Sequence, residues 1–78
     1  MKFEFINPNG IHRYEFHFHA QLPEYVDIIT FEKGYTGQKA WMHKIKDGKV
    51  QWRNDNYLDL TEEAKEYLTK LVRLRAFW

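Results

Sequence analysis

Seventy-eight residues with a formal charge of +1 leave room for one domain (1–78), and they exclude a polycation that coats nucleic acid by bulk charge. The chain has no cysteine, hence no disulfides and no thiolate metal ligands, and because small secreted chains so often rely on disulfides a cytoplasmic location is expected. Six Phe, five Tyr and three Trp supply the core instead, each able to bury roughly 150–250 Å². No stretch reaches the roughly 18 uninterrupted apolar residues of a membrane span, and Glu4 interrupts the N-terminus before a signal-peptide core begins.

Residues 2–6, KFEFI, alternate with the period of a half-buried strand, and residues 11–19 alternate again. Between them NPNG is a turn: Pro8 presets φ, Asn9 suits the next corner, and Gly10 tolerates positive φ. A four-residue loop with Ile6 opposite Ile11 places Phe3 and Phe5 on one face with Tyr14, Phe16 and Phe18. The opposite face then carries Lys2, Glu4, Arg13, Glu15, His17 and His19.

QLPEY breaks the alternation, because Pro23 cannot donate to a ladder, and a third strand is expected over residues 25–34. YTGQK is read as a loop. Residues 40–53, AWMHKIKDGKVQWR, form a hairpin about Asp47-Gly48, a favoured type I′ pair. That turn sets Ile45 against Val50 and His43 against Trp52, with Trp41 on the same, core-facing side. Met42, Lys44, Lys46, Lys49, Gln51 and Arg53 are expected together on the other side.

From Leu58 onward the period becomes helical. Asp59 or Thr61 is the expected cap, and Glu62 stands three residues after Asp59 as in a capping box. Acids lead and bases trail, which complements the helix dipole. Leu60, Ala64, Tyr67, Leu68, Leu71, Val72 and Leu74 make a broad apolar stripe, and Trp78 is placed by its spacing to close the core, the alternative being an interface anchor beside Arg73 and Arg75. The expected fold is α+β: a five-stranded antiparallel β-meander (β-β-β-β-β-α) with one C-terminal amphipathic helix on one face. A single helix leaves the other face of such a sheet open.

Catalytic chemistry has little foothold. Serine and cysteine are absent, and Gly34 and Gly37 make no phosphate-binding loop. His17 and His19 project from one strand face and could supply two ligands of a metal site, with Glu15 or Glu4 as further candidates. A structural zinc needs four ligands, however, and the simpler reading is a wet strand face. No metal and no cofactor is therefore expected.

The cations of the 40–53 segment are the strongest positive feature. They could lie along phosphates, making nucleic-acid binding the first alternative, or they could keep a strand edge from pairing. A small His-dependent metal-binding protein is the second alternative. The favoured expectation is a non-enzymatic interaction protein that binds and modulates or inhibits a partner protein through its open sheet face. Its contact residues are Arg13, Glu15, His17, His19, Lys44, Lys46, Lys49 and Arg53. Starting at Met1 and ending in its helix, the chain reads as a complete small domain. Small inhibitors that phages and other mobile elements direct against host defence enzymes, such as CRISPR effectors, have this character, which is an analogy of class alone. Glu4, Glu15, Glu24, Asp27 and Glu32 would then face a basic channel. A homodimer through the open sheet edge or face is also foreseen.

Overall fold

A computed structural model describes residues 1–75; the expected core role of Trp78 lies outside the described residues. The elements follow the expected order: β1 (Lys2–Ile6), β2 (His12–His19), β3 (Leu22–Glu32), β4 (Gln38–Lys46), β5 (Lys49–Val50) and α1 (Glu62–Arg75). Each strand pairs antiparallel with the next, so the five make a meander, and α1 packs on one of its faces.

The first hairpin keeps the expected faces in a different register. Ile6 pairs with Arg13, not Ile11, and the ladder runs on to Asn7, whose N–H donates to the His12 carbonyl at 3.0 Å. The loop is therefore Pro8–Ile11, still four residues, and pairing moves by two. A shift of two preserves the pleat, so Phe3 and Phe5 remain beside Phe16 and Tyr14 on the core face. The loop is tied by the Asn9 carboxamide oxygen, which accepts from the N–H groups of Ile11 (2.8 Å) and His12 (3.2 Å).

The third strand starts earlier than expected, at Leu22, and includes Pro23. A bulge explains how. His19 pairs with Leu22 while Phe18 pairs with Val26, so residues 23–25 bulge out and Pro23 faces no demand for a ladder hydrogen bond. The β4–β5 turn is as expected: Asp47 (φ 55°) and Gly48 (φ 74°) both take the left-handed conformation of a type I′ turn, with Ile45 opposite Val50.

Thr61 caps α1. Its Oγ1 accepts from the Ala64 N–H at 3.2 Å and donates to Oδ1 of buried Asn7 at 3.0 Å, which joins the helix start to the first hairpin. Asp59 is not the cap; it sits in a left-handed turn at φ 52°. Leu60, Ala64, Leu68, Leu71 and Val72 are buried and Tyr67 half-buried, but Leu74 falls off the stripe and is 58% exposed. They meet Tyr14, Phe16, Phe18, Val26 and Ile28 from the sheet, and full burial of each such side chain contributes roughly 1.5–3 kcal/mol. Tyr67 bridges the layers, its ring 5.1 Å from Phe5 and 6.1 Å from Phe16.

Two buried hydroxyls fasten the chain between sheet and helix. Tyr14 Oη donates to the Asp59 carbonyl at 2.7 Å, and Thr30 Oγ1 donates to the Leu58 carbonyl at 2.8 Å. No helix among the described residues is long and apolar enough to cross a membrane.

Candidate interaction surface

Strand alternation decides what the uncovered face displays. Across it, Lys2, His17, Asp27 and Met42 form one row, Glu4, Glu15, Ile29 and Ala40 the next, and Ile6, Arg13, Phe31 and Gln38 a third. Lys44, paired with Tyr25, and then Lys46 and Lys49 occupy the corner at the β4–β5 turn.

The strand β2 residues expected in the contact surface form an internal network. Arg13 Nη1 lies 2.8 Å from Glu15 and 3.6 Å from Glu4, with its guanidinium 4.0 Å above the Phe31 ring. His17 Nε2 reaches the other Glu15 oxygen at 3.0 Å. These two bonds, from His17 and then Arg13, hold the Glu15 carboxyl below its ordinary pKa. His19 Nε2 meets Asp27 at 2.6 Å. Each histidine has its own carboxylate, and the described residues contain no group of three or more His, Asp or Glu arranged to hold a metal ion.

Four of the five acids expected to face a basic partner are tied inside the chain: Glu4 and Glu15 to Arg13, Asp27 to His19, and Glu32 to His12 at 3.7 Å. Lys44, Lys46 and Lys49 are in no ion pair among the described residues, and all three are exposed. They form a cationic corner separated from Arg13 by most of the length of the sheet.

Arg53 does not join them. Regular pairing of β5 ends at Val50, and the chain then turns toward the helix side. There the Arg53 guanidinium stacks 3.9 Å from Trp41 and 5.4 Å from Tyr57. It also grips Asp55 in a fork, Nε at 2.9 Å and Nη2 at 2.6 Å. That fork pulls the Asp55 carboxyl down to about 2 and pushes the Arg53 guanidinium up. Trp41 points to the core side, as its position in the strand dictates, yet is 47% exposed because the helix does not reach over β4 there. Sequence pattern could not show this cluster, since it depends on where the strand stops. Its only local signal is the Arg53-x-Asp55-x-Tyr57 spacing.

His43, on the same side of β4, is buried against Trp52, and its Nδ1 is 3.3 Å from the Trp41 carbonyl. Burial pushes its imidazole pKa down. Farther along the helix side, Tyr35, Lys39, Glu32, Asp59 and His12 border an open cleft of about 260 Å³. Its charges are already engaged, Lys39 with Asp59 at 3.0 Å and His12 with Glu32, which leaves no free acid–base pair.

Alternation placed Met42 on the open face but did not reveal the apolar strip it joins. Ile29 and Phe31 are half-buried and Ala40 and Met42 exposed, forming one apolar strip between the ion-paired network and the lysine corner. The period of YVDIITFE already announced it, because the outward set of that strand is Tyr25, Asp27, Ile29 and Phe31. No protein family, curated protein or solved structure matches the chain.

Proposed function

We propose that this is a non-enzymatic cytoplasmic protein that docks on a partner protein through its open sheet face. The observation that carries the reading is the apolar strip Ile29–Phe31–Ala40–Met42, with ion pairs on one flank and, on the other, lysines in no ion pair among the described residues. An apolar centre inside a polar rim is the usual anatomy of a protein contact, and Arg13 over Phe31 and exposed Met42 belong to residue types enriched there. The partner we propose is a protein with an apolar contact patch bordered by carboxylates that meet Lys44, Lys46 and Lys49. Inhibition or modulation of that partner is the activity proposed. Its extension to a phage-type inhibitor of a host defence enzyme rests on class analogy alone. The test is a photo-crosslinking amino acid at position 42 and, in parallel, at Glu66 on the exposed helix surface. One protein joined stoichiometrically from position 42 and not from 66 supports the reading. Equal labelling from both, or none, overturns it.

The lysine corner favours a second reading, binding to nucleic-acid phosphates. If all three lysines neutralise phosphates, the slope of log K against log salt on duplex DNA is about −2.7. Lys44→Glu with Lys46→Glu should flatten that slope to about a third. Absence of binding at low salt removes this reading.

A further inference from the structure

The outer edge of β1 has no partner strand among the described residues, since β1 ends the sheet. Its bonding pattern is set by both ends of the strand. The N-terminal amine donates to the Phe18 carbonyl at 2.8 Å, and the Phe18 N–H donates back to the Met1 carbonyl at 2.8 Å. Asn7 bonds to His12 in the same sense. In an antiparallel ladder such bonded pairs alternate, so Phe3 and Phe5 also bond inward to β2. The N–H and C=O groups of Lys2, Glu4 and Ile6 consequently point out of the sheet.

We propose that this edge pairs with itself, so that two copies join β1 to β1 antiparallel with Lys2 of each opposite Glu4 of the other. The proposal is independent of the docking reading above. Its basis is that the edge is self-complementary in one register only. With Lys2 opposite Glu4, a two-fold axis passes through Phe3 and both outward pairs are of opposite charge. A shift that centres the axis on Glu4 sets Glu4 against Glu4, one that centres it on Lys2 sets Lys2 against Lys2, and one that centres it on Phe5 sets Glu4 against uncharged Ile6; the first two oppose like charges and the third offers no ion pair. Both side chains are exposed. Lys2 has no ion pair among the described residues, and Glu4 meets only Arg13, at 3.6 Å, a cation that Glu15 already holds at 2.8 Å.

At the other end of the sheet β5 pairs only with Ile45 and Lys46, and the stretch of β4 it leaves uncovered, Gln38–Met42, presents Gln38, Ala40 and Met42 on the open face, with no charge there to set a register. Joining β1 to that edge would also be heterologous and would leave free edges for further addition, whereas β1 with β1 closes at two copies.

The test is sedimentation equilibrium of the full chain across roughly 1 µM to 1 mM, the range suited to a small transient contact. The weight-average mass should rise toward twice 9.6 kDa and go no further. Lys2→Glu and Glu4→Lys should each raise the dissociation constant about tenfold or more, since each turns two attractive pairs into two repulsive ones. Combined in one chain they restore the opposite-charge pairs, and dimerisation should return to within about threefold of the original. Amide exchange gives a second readout that no substitution can confound. The Lys2 and Glu4 amides should become more protected as concentration rises, while those of Phe3 and Phe5, bonded to β2, and of Ile6, which has no residue opposite it in this register, should not change. A monomer at every concentration, growth beyond two copies, a dimer indifferent to the single charge reversals, or a double variant that stays monomeric overturns the proposal.

Discussion

Tyr14→Phe removes one hydroxyl from a side chain with no exposed surface and isolates the tie between sheet and helix. That hydroxyl donates to the Asp59 carbonyl at 2.7 Å, in a turn where Asn56 and Asp59 both hold left-handed φ values, 46° and 52°. Left-handed non-glycine residues persist where surrounding bonds over-determine them. Here those bonds are from Tyr14, from Thr30 to Leu58, and from the Leu60 N–H to the Asn56 side chain at 3.0 Å. Loss of a buried hydrogen bond that strands its acceptor costs about 1–2 kcal/mol. With an unfolding entropy of about 0.16 kcal/mol/K for 78 residues, Tm should fall by about 6–12 °C. Burial also raises the Tyr14 pKa above its ordinary 10.0. The unfolded chain therefore loses this proton first, so the associated stability is complete below pH 10 and is lost as pH rises through the folded pKa. Urea denaturation of both proteins from pH 7 to 11 tests both effects, with half-buried Tyr67→Phe as a control expected to cost under about 1 kcal/mol. A Tyr14→Phe loss below about 0.3 kcal/mol at pH 7, or an unchanged alkaline slope, would refute the hydroxyl as the tie.

Two other perturbations follow from the same geometry. Buried His43 has a lowered pKa, so its contribution is present above the ordinary value of 6.5 and is lost as pH falls from there toward the folded pKa. The loss is at most about 1.4 kcal/mol per pH unit, and denaturant midpoints of His43→Leu between pH 7 and 5 should lack it. Thr61→Ala removes the cap of α1 and the donor to Asn7, and should cost about 1–2 kcal/mol by thermal unfolding. Thr61→Ser should restore most of it, and equal loss in both variants would count against a capping role.

The features readable from sequence were those governed by period. Alternation divided β1, β2 and β4 into their two faces, and because the division has period two it survived a register shift of two at the first turn. Asp47-Gly48 announced its turn because few residue pairs accept positive φ twice. The departures arise where distant chain decides. Pro23 fits inside β3 only because the ladder bulges opposite it. Thr61 outcompetes Asp59 as cap because Asn7, 54 positions away, accepts its hydroxyl proton. Arg53 leaves the lysine face because β5 is two residues long, which no local propensity encodes. Of the contact residues expected from the sequence, Arg13, Glu15, His17, His19, Lys44, Lys46 and Lys49 do share the open face, although their partners divide them into a neutralised network and a free cationic corner.

The most direct measurement for the docking surface is the affinity of the partner captured at position 42, determined for Met42→Asp and for Glu66→Lys. Met42→Asp sets a charge in the apolar strip and should weaken binding about tenfold or more with Tm unchanged. Glu66→Lys, on the far side of the molecule, should leave affinity within about twofold. Full affinity retained by Met42→Asp, or lost through Glu66→Lys, contradicts the open sheet face as the contact.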